Sequence, residues 1–245
     1  MESNQHNHTA RVFVRPGFQW DGQDAYLFDI DGTLLRSRDR VHFDSIPAGV
    51  RQVTGIAVTL DGVAIHGSTD TAILHEACVR AGIADDRIEP QVAAILDAIR
   101  NHVAERREEL QPYLMPGVRE TLRHLAQRGA VLGVATGNLE TIGWIKIEKA
   151  GLREWFRFGG FSDHFPVRAE LVAAAAHKAR QLCGSTATIC VVGDTPRDIE
   201  AARANDLPVI AVATGLYTFE ELMSHGPTVC TTSLADLMAA AEAAR

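Results

Sequence analysis

A chain of 245 residues, 46% hydrophobic and 22% charged, is long enough to bury a sizeable core in one or two domains and has an ordinary globular composition. Its formal net charge of −7 speaks against a nucleic-acid or anionic-membrane partner, either of which favours a basic face. A small anionic substrate stays compatible, because a local cluster of cation, arginine and backbone N–H groups overrides the net charge.

The opening segment from Met1 to His8 is polar and lacks the apolar centre of a signal peptide. With the rest of about the first 20 residues it reads as a solvated tail, His6 and His8 included. No apolar run approaches the roughly 18 residues of a membrane span. Cys78, Cys183, Cys190 and Cys230 are scattered without a CxxC pair, which predicts free thiols, no structural zinc and a cytoplasmic location.

The run Tyr26-Leu27-Phe28 is a β-type stretch that ends in Asp29-Ile30-Asp31-Gly32-Thr33-Leu34. A strand that delivers paired carboxylates to a glycine turn builds a poor core. It builds a good site for a divalent cation, with an aspartate presented as nucleophile.

Residues 44–111 then carry helical patterns over 71–81 and 88–109 but no convincing apolar strand. This stretch reads as a helical insertion, with boundaries near Arg40 and Pro112 that assign 41–111 to a second domain and 1–40 with 112–245 to the first. Gly67-Ser68-Thr69-Asp70 opens a helix in it. Ser68 to Asp70 caps that helix, or Thr69 or Asp70 reaches the substrate; His66 is similarly open between a structural and a functional role.

From Pro116 onward helix and strand alternate. The pattern predicts helices over 117–128, 139–150, 169–182, 196–204, 218–224 and 233–244. Strands are predicted over 130–135, 157–161, 188–192 and 208–213. Continuous apolar strands separated by helices indicate a parallel sheet covered on both faces, a doubly wound α/β core in which ligands bind beyond the carboxyl ends of the strands. Asp29, Val134-Ala135-Thr136-Gly137-Asn138 and Val192-Gly193-Asp194-Thr195-Pro196-Arg197-Asp198 all fall at such ends.

Cleaving a phosphate monoester needs a nucleophile, neutralisation of the phosphoryl oxygens and a proton for the leaving alkoxide. Asp29 suits attack on phosphorus, Asp29 and Asp194 suit Mg²⁺, and Asp31 suits acid–base duty. Thr136, Gly137 and Asn138 offer a hydroxyl and backbone N–H groups at a helix start. One further cation is needed near the phosphoryl oxygens.

These segments resemble motifs of the haloacid dehalogenase-like hydrolase superfamily: Asp29-Ile30-Asp31-Gly32-Thr33-Leu34 the first, Thr136-Gly137-Asn138 the second, and Gly193-Asp194-Thr195-Pro196-Arg197-Asp198 the fourth. The resemblance implies a Rossmann-like core with an inserted helical cap. It implies Asp29 as nucleophile and metal ligand, and Asp31 as acid–base group with its backbone carbonyl on Mg²⁺. Thr136 would bind the phosphoryl group with Gly137 and Asn138, Asp194 would ligate the metal and Asp198 would support it. The family's third motif is usually a lysine, and here the chain departs from it. Position before the helix that leads to the fourth motif selects Arg168 for phosphate binding; Lys178 reads as a surface residue, and Lys146 and Lys149 come too soon after the second motif. Leu114-Met115-Pro116-Gly117-Val118 and the small cap look most like the phosphoglycolate phosphatase group.

The expected function is a magnesium-dependent phosphatase acting on a small phosphorylated metabolite through an aspartyl phosphate, as a monomer or small homo-oligomer. A phosphoryl transferase or phosphomutase on the same scaffold, or a non-catalytic regulatory protein on a retired enzyme fold, are the alternatives. Intact Asp29, Asp31 and Asp194 disfavour the last, and arginine at 168 leaves it some room.

Overall fold

A computed structural model of the chain describes residues 10–243. Its centre is a seven-stranded sheet in the order β1-β9-β8-β7-β2-β5-β6. The strands are β1 (Val12–Val14), β2 (Ala25–Phe28), β5 (Val131–Ala135), β6 (Phe158–Gly160), β7 (Ile189–Gly193), β8 (Val209–Val212) and β9 (Val229–Thr231). All neighbours pair in parallel except β1, which runs antiparallel to β9. β2, β7 and β8 are buried along their whole length, as strands covered on both faces must be.

The pleat sends alternate side chains to opposite cores. Tyr26 and Phe28 pack with Leu122, Leu125 and Val134 under α5 (Val118–Gln127), α6 (Glu140–Lys149) and α10 (Leu234–Ala243). Ala25 and Leu27 pack with Leu171, Ala175 and Ile199 under α7 (Arg168–Cys183), α8 (Pro196–Arg203) and α9 (Phe219–Ser224). The doubly wound core is therefore as expected, with element ends shifted by a residue or two.

Between β3 (Leu35–Ser37) and β4 (Pro112–Leu114), which pair as a separate antiparallel ribbon, lie α1 (Val41–Thr54), α2 (Asp70–Arg80), the one-turn α3 (Asp85–Ile88) and α4 (Val92–Glu105). These helices form a third apolar cluster around Val50, Leu74, Ile95 and Ile99. The cluster also takes in Leu139, Ile142 and Ile145 from α6. α6 is thus held between two cores, the sheet on one side and the inserted helices on the other.

Three differences from the sequence reading have physical causes. The tail reading fails at Val12–Val14, which forms an edge strand on β9; a three-residue strand whose partner lies at the far end of the chain has no local signature. Residues 1–9, with His6 and His8, lie outside the described residues. α1 buries Val41, Ile46 and Val50 at helical spacing, but Pro47 sits inside it and argues locally against a helix, because proline there costs a backbone hydrogen bond. The short β3–β4 ribbon was unforeseen for the same reason as β1. No described helix is long and apolar enough to cross a membrane.

Candidate active site

The reversal in strand order puts β2 between β7 and β5, so their carboxyl ends open one crevice at the switch point. Asp29 follows β2, Thr136 follows β5 and Asp194 follows β7. The Asp29 N–H still bonds to the Val192 carbonyl at 2.9 Å, which fixes its side chain at the rim.

Asp29, Asp194 and Asp198 are buried, and each brings a carboxylate oxygen within 4.8 Å of the others. The backbone closes tightly on Asp194: a Cβ on Gly32 or Gly215 would run into its carboxylate. The Thr33 hydroxyl donates to Asp194 Oδ1 at 2.9 Å. Burial lifts the Asp29 carboxyl to about 6 although Arg168 pulls it down, with Asp198 and Asp31 adding repulsion. Asp194 is raised well above the usual carboxylate range by burial and by Asp29 and Asp198. Three close acids against one guanidinium leave the cluster short of positive charge. An all-oxygen donor set of this kind fits Mg²⁺.

Asp198 is committed elsewhere. Its Oδ2 accepts from Thr195 N and Oγ1 at 3.0 and 2.8 Å, closing a capping box at the start of α8. Its Oδ1 accepts from Arg168 Nη2 and Nε at 2.6 and 2.9 Å.

Arg168 is the first residue of α7 and is buried. Besides Asp198, its Nη2 lies 3.0 Å from Asp29 Oδ1 and its Nη1 donates to the Gly67 carbonyl at 3.1 Å. The guanidinium thus stands over the first acid of the β2 motif. Lys178 is a surface residue whose Nζ donates to the Gly159 carbonyl at 2.7 Å.

A second cation enters the site that sequence reasoning passed over. Lys146 of α6 is only 3% exposed. Its ammonium donates to Asp31 Oδ2 at 2.6 Å, Asn138 Oδ1 at 2.7 Å and His42 Nδ1 at 2.9 Å. Because an ammonium only donates, His42 Nδ1 accepts, and its Nε2–H donates to Asp70 Oδ2 at 3.0 Å. Burial acts to raise the Asp31 carboxyl, but the Lys146 charge and the hydrogen bonds from Lys146 and Asn138 hold it below the usual carboxylate range. Asp31 keeps 44% of its side-chain surface open to the crevice. Lys146 lies close to Asn138 along the chain yet reaches back to it, because helical side chains lean toward the N-terminus. Its place on the buried face of α6 was the available signal; His42 offered none.

The second-motif loop is built from both sides. Asn138 Nδ2 donates to Asp31 Oδ2 and to Thr136 Oγ1, each at 2.8 Å. Gly137 admits the inserted helices: a Cβ there would strike the Ser68 carbonyl, and the Asp70 N–H donates to the Gly137 carbonyl at 2.7 Å. The first N–H groups of α6 are taken by carboxylates, Leu139 by Asp70 at 2.8 Å and Glu140 by Asp163 at 2.6 Å. Among the residues expected to cradle an anion, the Thr136 hydroxyl and Gly137 therefore stand nearest to an open role. Thr69 is the N-cap of α2, accepting from Ala72 N at 3.2 Å, and also donates to the Pro166 carbonyl at 2.7 Å. His66 is exposed at the mouth of the crevice.

Above these residues is a chamber of about 350 Å³, within the usual range of small-molecule sites.

A family model described as haloacid dehalogenase-like hydrolase matches residues 23–206. The chain is 28% identical over 217 residues to a phosphoglycolate phosphatase of Synechococcus elongatus, covering 88% of this chain and 96% of that protein. It is 31% identical over 198 residues to the phosphoglycolate phosphatase of Xanthomonas campestris, covering 78% and 83%. It is 25% identical over 227 residues to the probable phosphatase IndB of Dickeya dadantii, covering 89% and 93%. In fold it is similar to CbbY from Rhodobacter sphaeroides solved in complex with phosphate, with a TM-score of 0.65 at 19% identity over 88% of this chain and 96% of that one. The chain is an enzyme belonging to the haloacid dehalogenase-like hydrolase family.

Proposed function

We propose that this hydrolase is a magnesium-dependent phosphatase that cleaves a small phosphorylated metabolite through an aspartyl-phosphate intermediate. The observation that carries the reading is the convergence of Asp29, Asp31, Thr136, Asp194 and Arg168 on one crevice at three adjacent strand ends. The phosphatase names of the relatives support it. The cap assignment of 41–111 and the residue roles below belong to the same proposal, as does a cytoplasmic location, which the four free cysteines suit.

Asp29 attacks phosphorus, and the bond to the leaving alkoxide breaks as the Asp29–phosphorus bond forms. Asp31, ionised beside Lys146 in the free site, takes up a proton as the anionic phosphate ester enters and hands it to the leaving oxygen; ionised again, it takes a proton from the water that opens the acyl phosphate and restores Asp29. Thr136 and Gly137 with the Arg168 guanidinium hold the phosphoryl oxygens, while Asn138 orients Asp31 and Thr136. Asp29, the Asp31 backbone carbonyl and Asp194 would hold Mg²⁺, supported by Asp198; bound there, the ion offsets the charge of an anionic nucleophile facing an anionic substrate.

The test is phosphate release from a panel of phosphorylated metabolites, with magnesium and with chelator, for wild type and Asp29→Asn. Magnesium-dependent release into water without an added acceptor, lost in Asp29→Asn, is the expected result. A variant as active as wild type in a clean preparation would overturn the mechanism, and turnover that needs a second hydroxyl compound would move the enzyme to the transferases.

A further inference from the structure

The chamber beyond the phosphoryl site has a divided lining. Its floor carries the acids and cations described above. Its walls are mostly apolar, with Phe43 and Ile46 from α1, Leu60 and Ile65 from the segment before α2, Ile73 from α2, and Leu110 from the segment leading to β4, beside the polar Ser37, Asp39 and Ser68. Four of the six apolar residues, Ile46, Leu60, Ile73 and Leu110, are otherwise buried. A leaving group extending from the phosphoryl site toward the cap meets this surface.

The floor has no cation to spare for a second anionic group. Lys146 has three protons and three acceptors, Asp31, Asn138 and His42. His42 has both nitrogens engaged, by Lys146 and Asp70. Arg168 faces Asp29 and Asp198 and is placed for the phosphoryl oxygens. The remaining basic residue of the lining is His66, exposed at the mouth. Against these stand Asp31, Asp39 and Asp70 in the same lining. A carboxylate on the leaving group would lose its hydration beside acids and hydrocarbon, with no buried partner in exchange.

Resting on the phosphatase reading, we propose that the leaving group is neutral and substantially apolar, so that the preferred substrate is the phosphate monoester of a hydrophobic alcohol and not 2-phosphoglycolate. Phosphoglycolate phosphatases are among the relatives, but the walls and the committed cations of this chain select a different alcohol.

The experiment is a set of kcat/KM values with magnesium for the full chain, using ethyl, n-propyl, n-butyl and n-hexyl phosphate beside 2-phosphoglycolate. The alkanols have similar basicity, so the series reads burial of the chain. Each added methylene is expected to raise kcat/KM by roughly two- to four-fold until the chamber is filled. n-Propyl phosphate is expected to exceed 2-phosphoglycolate at least ten-fold. Ile65→Arg, which places a cation on the half-buried wall, is expected to shrink that ratio; if this variant fails to fold, the wild-type series decides alone. A flat chain-length profile, or 2-phosphoglycolate turned over as well as n-propyl phosphate, overturns the inference while leaving the phosphatase intact. Absence of release from every compound overturns the phosphatase reading and this inference with it.

Discussion

The Lys146 ammonium is the group that holds the Asp31 side of the site together. It joins Asp31 to Asn138 and, through His42, to Asp70, so that residues from α6, α1 and α2 and the β2 loop share one network. Replacing it by methionine keeps the length of the buried stem but leaves the His42 nitrogen and the Asn138 carbonyl without their donor and Asp31 without its counter-charge. The expected loss in kcat is on the order of ten- to a hundred-fold. Phosphate-release kinetics alongside a thermal melt separate this from misfolding, since a purely structural lysine would lower the melting temperature and leave kcat of the folded fraction unchanged. Arg168 differs in kind: it ties Asp29 to the capping box of α8, and its planar fork serves Asp29 and Asp198 together as a lysine's point charge could not.

At the scale of elements, the ribbon and α6 decide how the inserted helices sit on the core. Asp39 binds the two linkers together. It accepts from Val41 N at 3.0 Å and Gln111 N at 2.7 Å, and from the Ser37 hydroxyl. Burial acts to raise its carboxyl, but these hydrogen bonds outweigh it and hold the group below its ordinary value. A depressed acid contributes stability that is fully present above the unfolded pKa of about 3.9 and is lost as the pH falls through the lower folded value. Wild type is therefore expected to be more stable than Asp39→Asn near neutrality, with the gap closing below about pH 4; paired melts across pH 3 to 7 measure it. On α6, Ile142 packs into the cluster of the inserted helices while Ile147 packs into the sheet core. Ile142→Ala opens a cavity at that seam and is expected to cost about 2–4 kcal/mol, read from chemical denaturation.

Across the whole molecule, the inserted helices close over the strand ends through polar contacts as well as the apolar seam. Arg100 of α4 reaches Asp163 at 2.7 Å, and Asp163 also receives the Glu140 N–H at the start of α6. Arg197 of α8 donates to the Ser68 hydroxyl at 2.6 Å, and Gly67 and Thr69 meet Arg168 and Pro166. If the helices open as a lid to admit substrate, these contacts must break together. Arg100→Ala is expected to speed hydrogen exchange in α4 and the first turn of α6 without changing exchange in β2 and β7. Equal exchange in wild type and variant would show that this ion pair does not hold the lid.

The doubly wound core and three of the corners of the site were legible in the chain itself, because each is a local event: an apolar strand, a turn, and an acid or hydroxyl at the strand's end. Arg168 was legible by its place at a helix start. What the tertiary structure alone decided is which groups share space across those turns. It placed Lys146 beside Asp31, since a helix face becomes a site only when another element closes on it, and brought His42 and Asp70 from separate helices to hold it. It made an edge strand of Val12–Val14 and a ribbon of Leu35–Ser37 with Pro112–Leu114, because a three-residue strand is stabilised by its partner and not by its own pattern. It also set the charge around the chamber above the strand ends, for whether a cation is free to bind a ligand depends on every acceptor already within its reach.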